Sequence, residues 1–308
     1  MALSEVLIEF ARQSEARGNA AYLLLDGAHN EGANVHLDGG GFDYESLFDG
    51  FPEAAFPEIA PLVIPLHGID ASRLSSLASW AMDQGLQFPC LSWMESQFAP
   101  AELAAHLRLF HAVGLSDNQR MLMRWYDTRI LPVWLAALNP DQLDLFTAPL
   151  LSLRYLNRFG DATGLSWQAG KPYPLRAPAK GQPLIELDDR QYAMLVDAST
   201  LDTLVQHLKN VIKDETNQLA NRDLMEFVAK YQQRAISFGL DDINRQTQYL
   251  LLALYTSGEG VEHPACQALL KAPPARFEEF FERMQELPEA AWEMGPPLWD
   301  AQPKKANS

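Results

Sequence analysis

The chain has 308 residues, 47% of them hydrophobic, and a formal net charge of -16 at pH 7. That length buries a substantial core in one large or, better, two modest domains. The acidic balance excludes a phosphate-binding basic surface, so no nucleic-acid partner is expected, and Cys90 and Cys266 are too few and too far apart for a disulfide framework or a Cys/His metal cluster.

The charge is uneven. Residues 1–150 hold 19 acids against 7 Arg and no Lys, whereas residues 151–308 hold 21 acids against 17 bases. An acidic N-terminal half serves either solubility or attraction to a basic partner. The first segment places Leu3, Val6, Leu7, Phe10 and Ala11 at helical spacing, with Gly18 to stop the helix. Glu5, Glu9, Arg12, Glu15 and Arg17 interrupt it, so it lacks the basic start and apolar core of a signal peptide. No apolar run reaches the length of a membrane span. A cytoplasmic protein with reduced thiols and no membrane insertion is the expectation.

Ala20 to Leu25 reads as a buried strand closed by Asp26-Gly27, and His29 to Pro61 as mostly loop with short ordered pieces. Within that loop Gly39-Gly40-Gly41 lacks the Lys-Ser/Thr of a phosphate loop and is a turn. Pro61 to Leu66 predicts a second strand, Ser72 to Gln84 a helix with Leu74, Leu77, Ala78 and Ala81 on one face, and Leu86 to Trp93 a third strand. A helix over Ala101 to Val113 and a fourth strand over Gln119 to Tyr126 follow. Gly160 to Pro183 is dense in chain breakers. Beyond it, Leu201, Leu204, Val205, Leu208, Val211 and Ile212 form one helical stripe, and Leu224, Phe227, Val228, Tyr231, Ala235 and Phe238 another. Further helices are predicted over Asp242 to Tyr255 and Pro274 to Leu287. The pattern predicts an α+β protein. A small mixed α/β sheet domain (1–159) leads through a Pro/Gly-rich connector (160–183) into an all-helical domain (184–290) and a flexible tail (291–308).

The most informative stretch is Arg124-Trp125-Tyr126-Asp127-Thr128-Arg129-Ile130-Leu131, because three charged groups stand in an apolar run where charge is costly. Arg124, Asp127 and Arg129 read as a structural ion-pair set at the end of the fourth strand, with ligand recognition as the alternative.

This stretch resembles the Arg-x-Tyr-Asp-Pro-Arg-Val-Leu signature of the type VI secretion effector chaperone and adaptor family, also called domain of unknown function 4123, with Thr128 in place of the usual Pro. Other pieces match in order over roughly residues 19 to 150, including Ala21 to Ala28, Tyr44 to Phe48, Ala60 to Leu66, Leu77 to Gly85, Ser92 to Ser96, Leu103 to Arg108 and Leu138 to Phe146. The resemblance implies an adaptor that binds a toxic effector and promotes its loading onto the VgrG spike. It implies two protein partners, effector and spike, and no catalytic, cofactor or metal site.

The residues themselves agree with that absence of chemistry. The seven histidines are scattered, His106 and His111 are five apart, and there is no HExxH or Gly-x-Ser-x-Gly. Asp188-Asp189 reads as a helix start complementing the dipole. Trp292 and Trp299 are possible partner contacts, or a tail folded back on the helices. Two other functions stay open: a hydrolytic or transferase enzyme assembled around Asp26, His29 and Asp127, and a structural subunit of the secretion apparatus.

Overall fold

The computed structural model describes residues 3–30, 32–167 and 183–301. It divides into two units, residues 1–197 and 198–308, and the fold is α+β, an antiparallel sheet with helices followed by a helical region.

In the first unit, α1 (Leu3–Ala16) buries Leu7, Phe10, Ala11 and Ser14, the stripe of a helix lying on a sheet. Next come β1 (Ala20–Asp26), α2 (Ala33–Gly40), β2 (Glu45–Ser46) and β3 (Pro61–Pro65). The segment predicted as mostly loop thus contains a helix, anchored by buried Ala33 and Leu37. After α3 (Ala71–Gln87) and β4 (Leu91–Ser96), the chain forms α4 (Pro100–Arg108), β5 (Ala112–Leu115) and β6 (Arg120–Leu122). The remaining elements are α5 (Leu131–Ala137), α6 (Pro140–Thr147), β7 (Leu150–Leu156), β8 (Ala162–Ser166), β9 (Glu186–Leu187) and the start of α7 (Asp189–Val211).

Six strands form one sheet in the order β2-β3-β1-β4-β7-β8, antiparallel at each junction. β3 and β4 flank β1 on opposite sides and therefore run parallel to each other. α3 supplies the crossover that such a connection needs. Its predicted face is buried, and Asp70 caps it by accepting from the backbone N–H groups of Ser72 and Arg73. A second sheet has the order β6-β5-β9, with β5 and β9 parallel.

Several boundaries differ from expectation. The third strand begins at Leu91, because α3 continues to Gln87. The helix predicted to Val113 ends at Arg108, and Val113 belongs to β5. The fourth strand is only β6; Trp125 and Tyr126 occupy a turn, yet both are buried. Their apolarity serves an aromatic cluster. Phe146 receives Phe110, Trp125 and Trp134 edge-on at centroid distances of 5.0, 5.0 and 5.8 Å, contacts worth about 0.5–1.5 kcal/mol each beyond area burial.

Only the start and end of the expected connector fall within the described residues. Gly160, with φ +80°, closes a turn in which Asn157 Oδ1 accepts from Phe159 and Asp161 N–H, so the breakers there build the β7–β8 hairpin. Residues 168–182 lie outside the described residues, and the division between units falls inside α7 at Asp197.

The second unit contains the rest of α7, then α8 (Lys213–Thr216), α9 (Asn221–Ser237), α10 (Ile243–Tyr255) and α11 (Pro264–Lys271). α12 (Phe277–Gln285), α13 (Glu289–Trp292) and α14 (Leu298–Ala301) complete it. Leu204, Val205, Leu208 and Ile212 are buried as predicted, whereas Val211 is 51% exposed. The tail expected to be flexible is packed over its described part: Ala291 is buried, Ser257 Oγ donates to the Pro296 carbonyl at 2.7 Å, and Trp299 meets Tyr255 edge-on at 5.0 Å. Both tail tryptophans are half-buried against this unit.

Candidate functional site

The strand β1 delivers Asp26 to its buried end, and Gly27 must follow. A Cβ at Gly27 would lie 2.4 Å from the Ala60 carbonyl oxygen, so the sharp exit to His29 tolerates no side chain there. Asp26 Oδ1 accepts from Ala28 N–H at 3.0 Å, capping a short 3-10 turn over Gly27–His29 that carries His29 forward. The turn after β6 arrives from the other side. It is pinned by Trp125 in the aromatic cluster and by Thr128 N–H donating to the Pro89 carbonyl at 3.1 Å.

Five side chains meet there. Arg124 Nη2 donates to Asp26 Oδ2 at 2.8 Å and stands 3.8 Å from Asp127 Oδ2. Arg129 grips Asp127 through three donors, its backbone N–H (3.0 Å), Nε (3.0 Å) and Nη2 (2.6 Å). His29 Nε2 lies 3.1 Å from Asp127 Oδ2 and 2.9 Å from Arg129 Nη2. A protonated Nε2 donates to the carboxylate, and a bare one accepts from the guanidinium. Both carboxylates are fully buried, while His29, Arg124 and Arg129 are reached by solvent.

The carboxyl groups are driven apart. Burial pushes Asp26 upward, against the opposing pull of Arg124. Burial acts on Asp127 in the same sense, but hydrogen bonds from His29 and Arg129 outweigh it and hold that group well below the ordinary carboxylate range. Two carboxylates of divergent acidity beside a histidine are the raw material of acid–base chemistry, and also of a structural network.

The geometry weighs toward the network. Asp26, His29 and Asp127 offer ligand atoms within 4.8 Å of one another, the spacing of a cation site. Yet a guanidinium is bonded to each carboxylate, and a divalent ion would face both positive charges. The nearby Cys90 thiol is pushed up to about 12 by burial, then by Asp26, which leaves no thiolate nucleophile at neutral pH. A cleft of about 390 Å³ between α1 and the start of α3, lined by Arg12, Glu15, His67 and Asp70 among others, contains none of the five.

Thus Arg124, Asp127 and Arg129, singled out by their apolar context, do converge. The structure joins to them Asp26 and His29, named with Asp127 for the enzyme alternative, each 98 residues away from its partner in the motif. Other buried polar groups gave no local signal. Glu95 of β4 accepts from Arg17 Nε (2.9 Å) and Nη2 (2.8 Å) and from Asn19 (2.6 Å), and His106 Nε2 meets the Phe146 carbonyl at 3.0 Å. Asp188 and Gln191 form a reciprocal cap at the start of α7, as the dipole reading of Asp188-Asp189 anticipates.

Residues 21–145 match the family described as Domain of unknown function (DUF4123). The matched segment begins in β1 and ends in α6, so it contains all five residues of the cluster. No curated protein and no solved structure is detectably similar to the chain. No described helix is long and apolar enough to cross a membrane.

Proposed function

We propose that this protein is an adaptor that holds a type VI secretion effector and promotes its loading onto the VgrG spike. The observation that carries this reading is the match of residues 21–145 to DUF4123, over the same stretch in which the ordered adaptor-like motifs occur. The cluster at the signature supports it: charges satisfied by one another brace a surface without requiring a substrate. The adaptor acts in the cytoplasm and needs no cofactor or nucleic acid.

Deleting the gene should remove one cognate toxin from secretion while spike assembly and other effectors continue. Adaptor, toxin and spike should co-purify, and the association rate should fall as salt rises if the acidic N-terminal half steers a basic partner. Normal delivery of every toxin in the deletion strain would sink the proposal.

The convergence of Asp26, His29 and Asp127 favours one other reading, a hydrolytic enzyme. It predicts that His29→Ala abolishes function in an otherwise folded protein. The adaptor reading predicts that toxin delivery persists in that variant.

A further inference from the structure

The two edges of the six-stranded sheet are treated differently. At one end β2 has only two residues, and Arg108 closes it by donating from Nε and Nη2 to the Ser46 carbonyl at 2.9 and 2.6 Å. Such short, charged, covered edges are how proteins prevent unwanted strand addition. At the other end β8 is five residues long, Ala162-Thr163-Gly164-Leu165-Ser166, with no charge, no proline and no register shift against β7.

The register fixes which groups point outward. Trp167 N–H donates to the Leu151 carbonyl and Asn157 N–H to that of Asp161, so the mutually bonded pairs are Leu153–Leu165 and Tyr155–Thr163. Ala162, Gly164 and Ser166 therefore turn their N–H and C=O groups away from the sheet. All three are exposed and small, and among the described residues none bonds to those groups. Leu165, 46% exposed, offers an apolar side chain beside them.

We infer that β8 is a docking edge that receives an extended segment of a partner protein as a seventh strand. Main-chain pairing gives the affinity, and alternate side chains the selectivity. A second copy of this chain fits poorly. A five-residue edge covers far less than the roughly 1,200 Å² of a stable dimer, and each copy brings a net charge of -16. The net charge of the whole chain favours a basic segment instead. This deepens the adaptor reading, and rests on it for the identity of the partner as effector or spike.

The test uses the full chain and a phage-displayed library of random dodecapeptides, with one enriched peptide synthesised. Enriched peptides should alternate β-branched residues and carry Lys or Arg. Binding should slow amide exchange at Ala162, Gly164 and Ser166, and Ala162→Pro/Ser166→Pro should weaken it at least tenfold. Those prolines remove only outward N–H groups, so the β7 ladder and the melting temperature should survive; if the variant does not fold, the wild-type exchange pattern decides. Failure to enrich such peptides, or binding with unchanged exchange at the three amides, overturns the inference. So does protection of these amides in the isolated monomer, which would assign the edge to residues 168–182, or a dimer in light scattering that the prolines dissolve. Peptide binding with no toxin or spike association would leave the edge standing and remove the adaptor reading.

Discussion

Asp127 is the residue on which the candidate site turns, because it is fully buried and accepts from Arg129 three times and from His29. Asp127→Ala leaves the Arg129 guanidinium without its carboxylate, while Arg124 keeps Asp26. Removing one partner of a buried pair costs about 3–5 kcal/mol, and the partial exposure of Arg124 and Arg129 places this case near about 3 kcal/mol. Chemical denaturation of the variant checks it; an unchanged midpoint would make the motif an interface rather than a brace. Three members of the cluster were legible in the sequence because charge inside an apolar run demands partners. Asp26 and His29 could be named only as distant candidates, since no local rule says which residue 98 positions earlier closes a network.

At the level of elements, periodic helices were legible and short strands were not. The stripes of α3 and α9 are set by their own sequence, as Leu74, Leu77, Ala78 and Ala81, and Leu224, Val228, Tyr231 and Ala235, all buried, show. Trp125 and Tyr126 resembled strand residues because burial in an aromatic cluster and burial in a sheet select the same side chains. Of the Gly/Pro density after Leu156, Gly160 marks a hairpin turn, while Gly170 to Gly181 lie outside the described residues. In the helical unit one glycine is decisive. Gly258 has φ +88°, and a Cβ there would lie 1.6 Å from Tyr231 Oη, against a ring that stacks on Phe227. Gly258→Ala should cost about 3 kcal/mol, combining backbone strain with overpacking. Gly239→Ala, at φ +78° with open space around it, should cost only about 1 kcal/mol. Equal thermal shifts for the two would show that Tyr231 yields freely.

For the molecule as a whole, stability should fall on acidification. Burial lowers His106 from 6.5 to about 4, so between those values the unfolded chain binds a proton that the folded chain refuses, and stability falls as pH falls. At 1.36 kcal/mol per unit this amounts to about 3 kcal/mol by pH 4. Asp127 and Glu95, both held low by their partners, add losses as pH drops through their folded values, while Asp26, raised by burial, acts in the opposite sense. His106→Gln keeps a donor for the Phe146 carbonyl and should flatten the stability profile between pH 6.5 and 4. An unaltered profile would place the acid sensitivity elsewhere.

The position of β1 between β3 and β4 has a consequence for biogenesis. The strand at the heart of the sheet is made before either of its neighbours, apolar from Ala20 to Leu25, and finds β4 only after the whole of α3 has been made. A nascent chain in that interval displays a ready template for mispairing, so its yield in the cell should depend on holdase chaperones more than its final stability suggests.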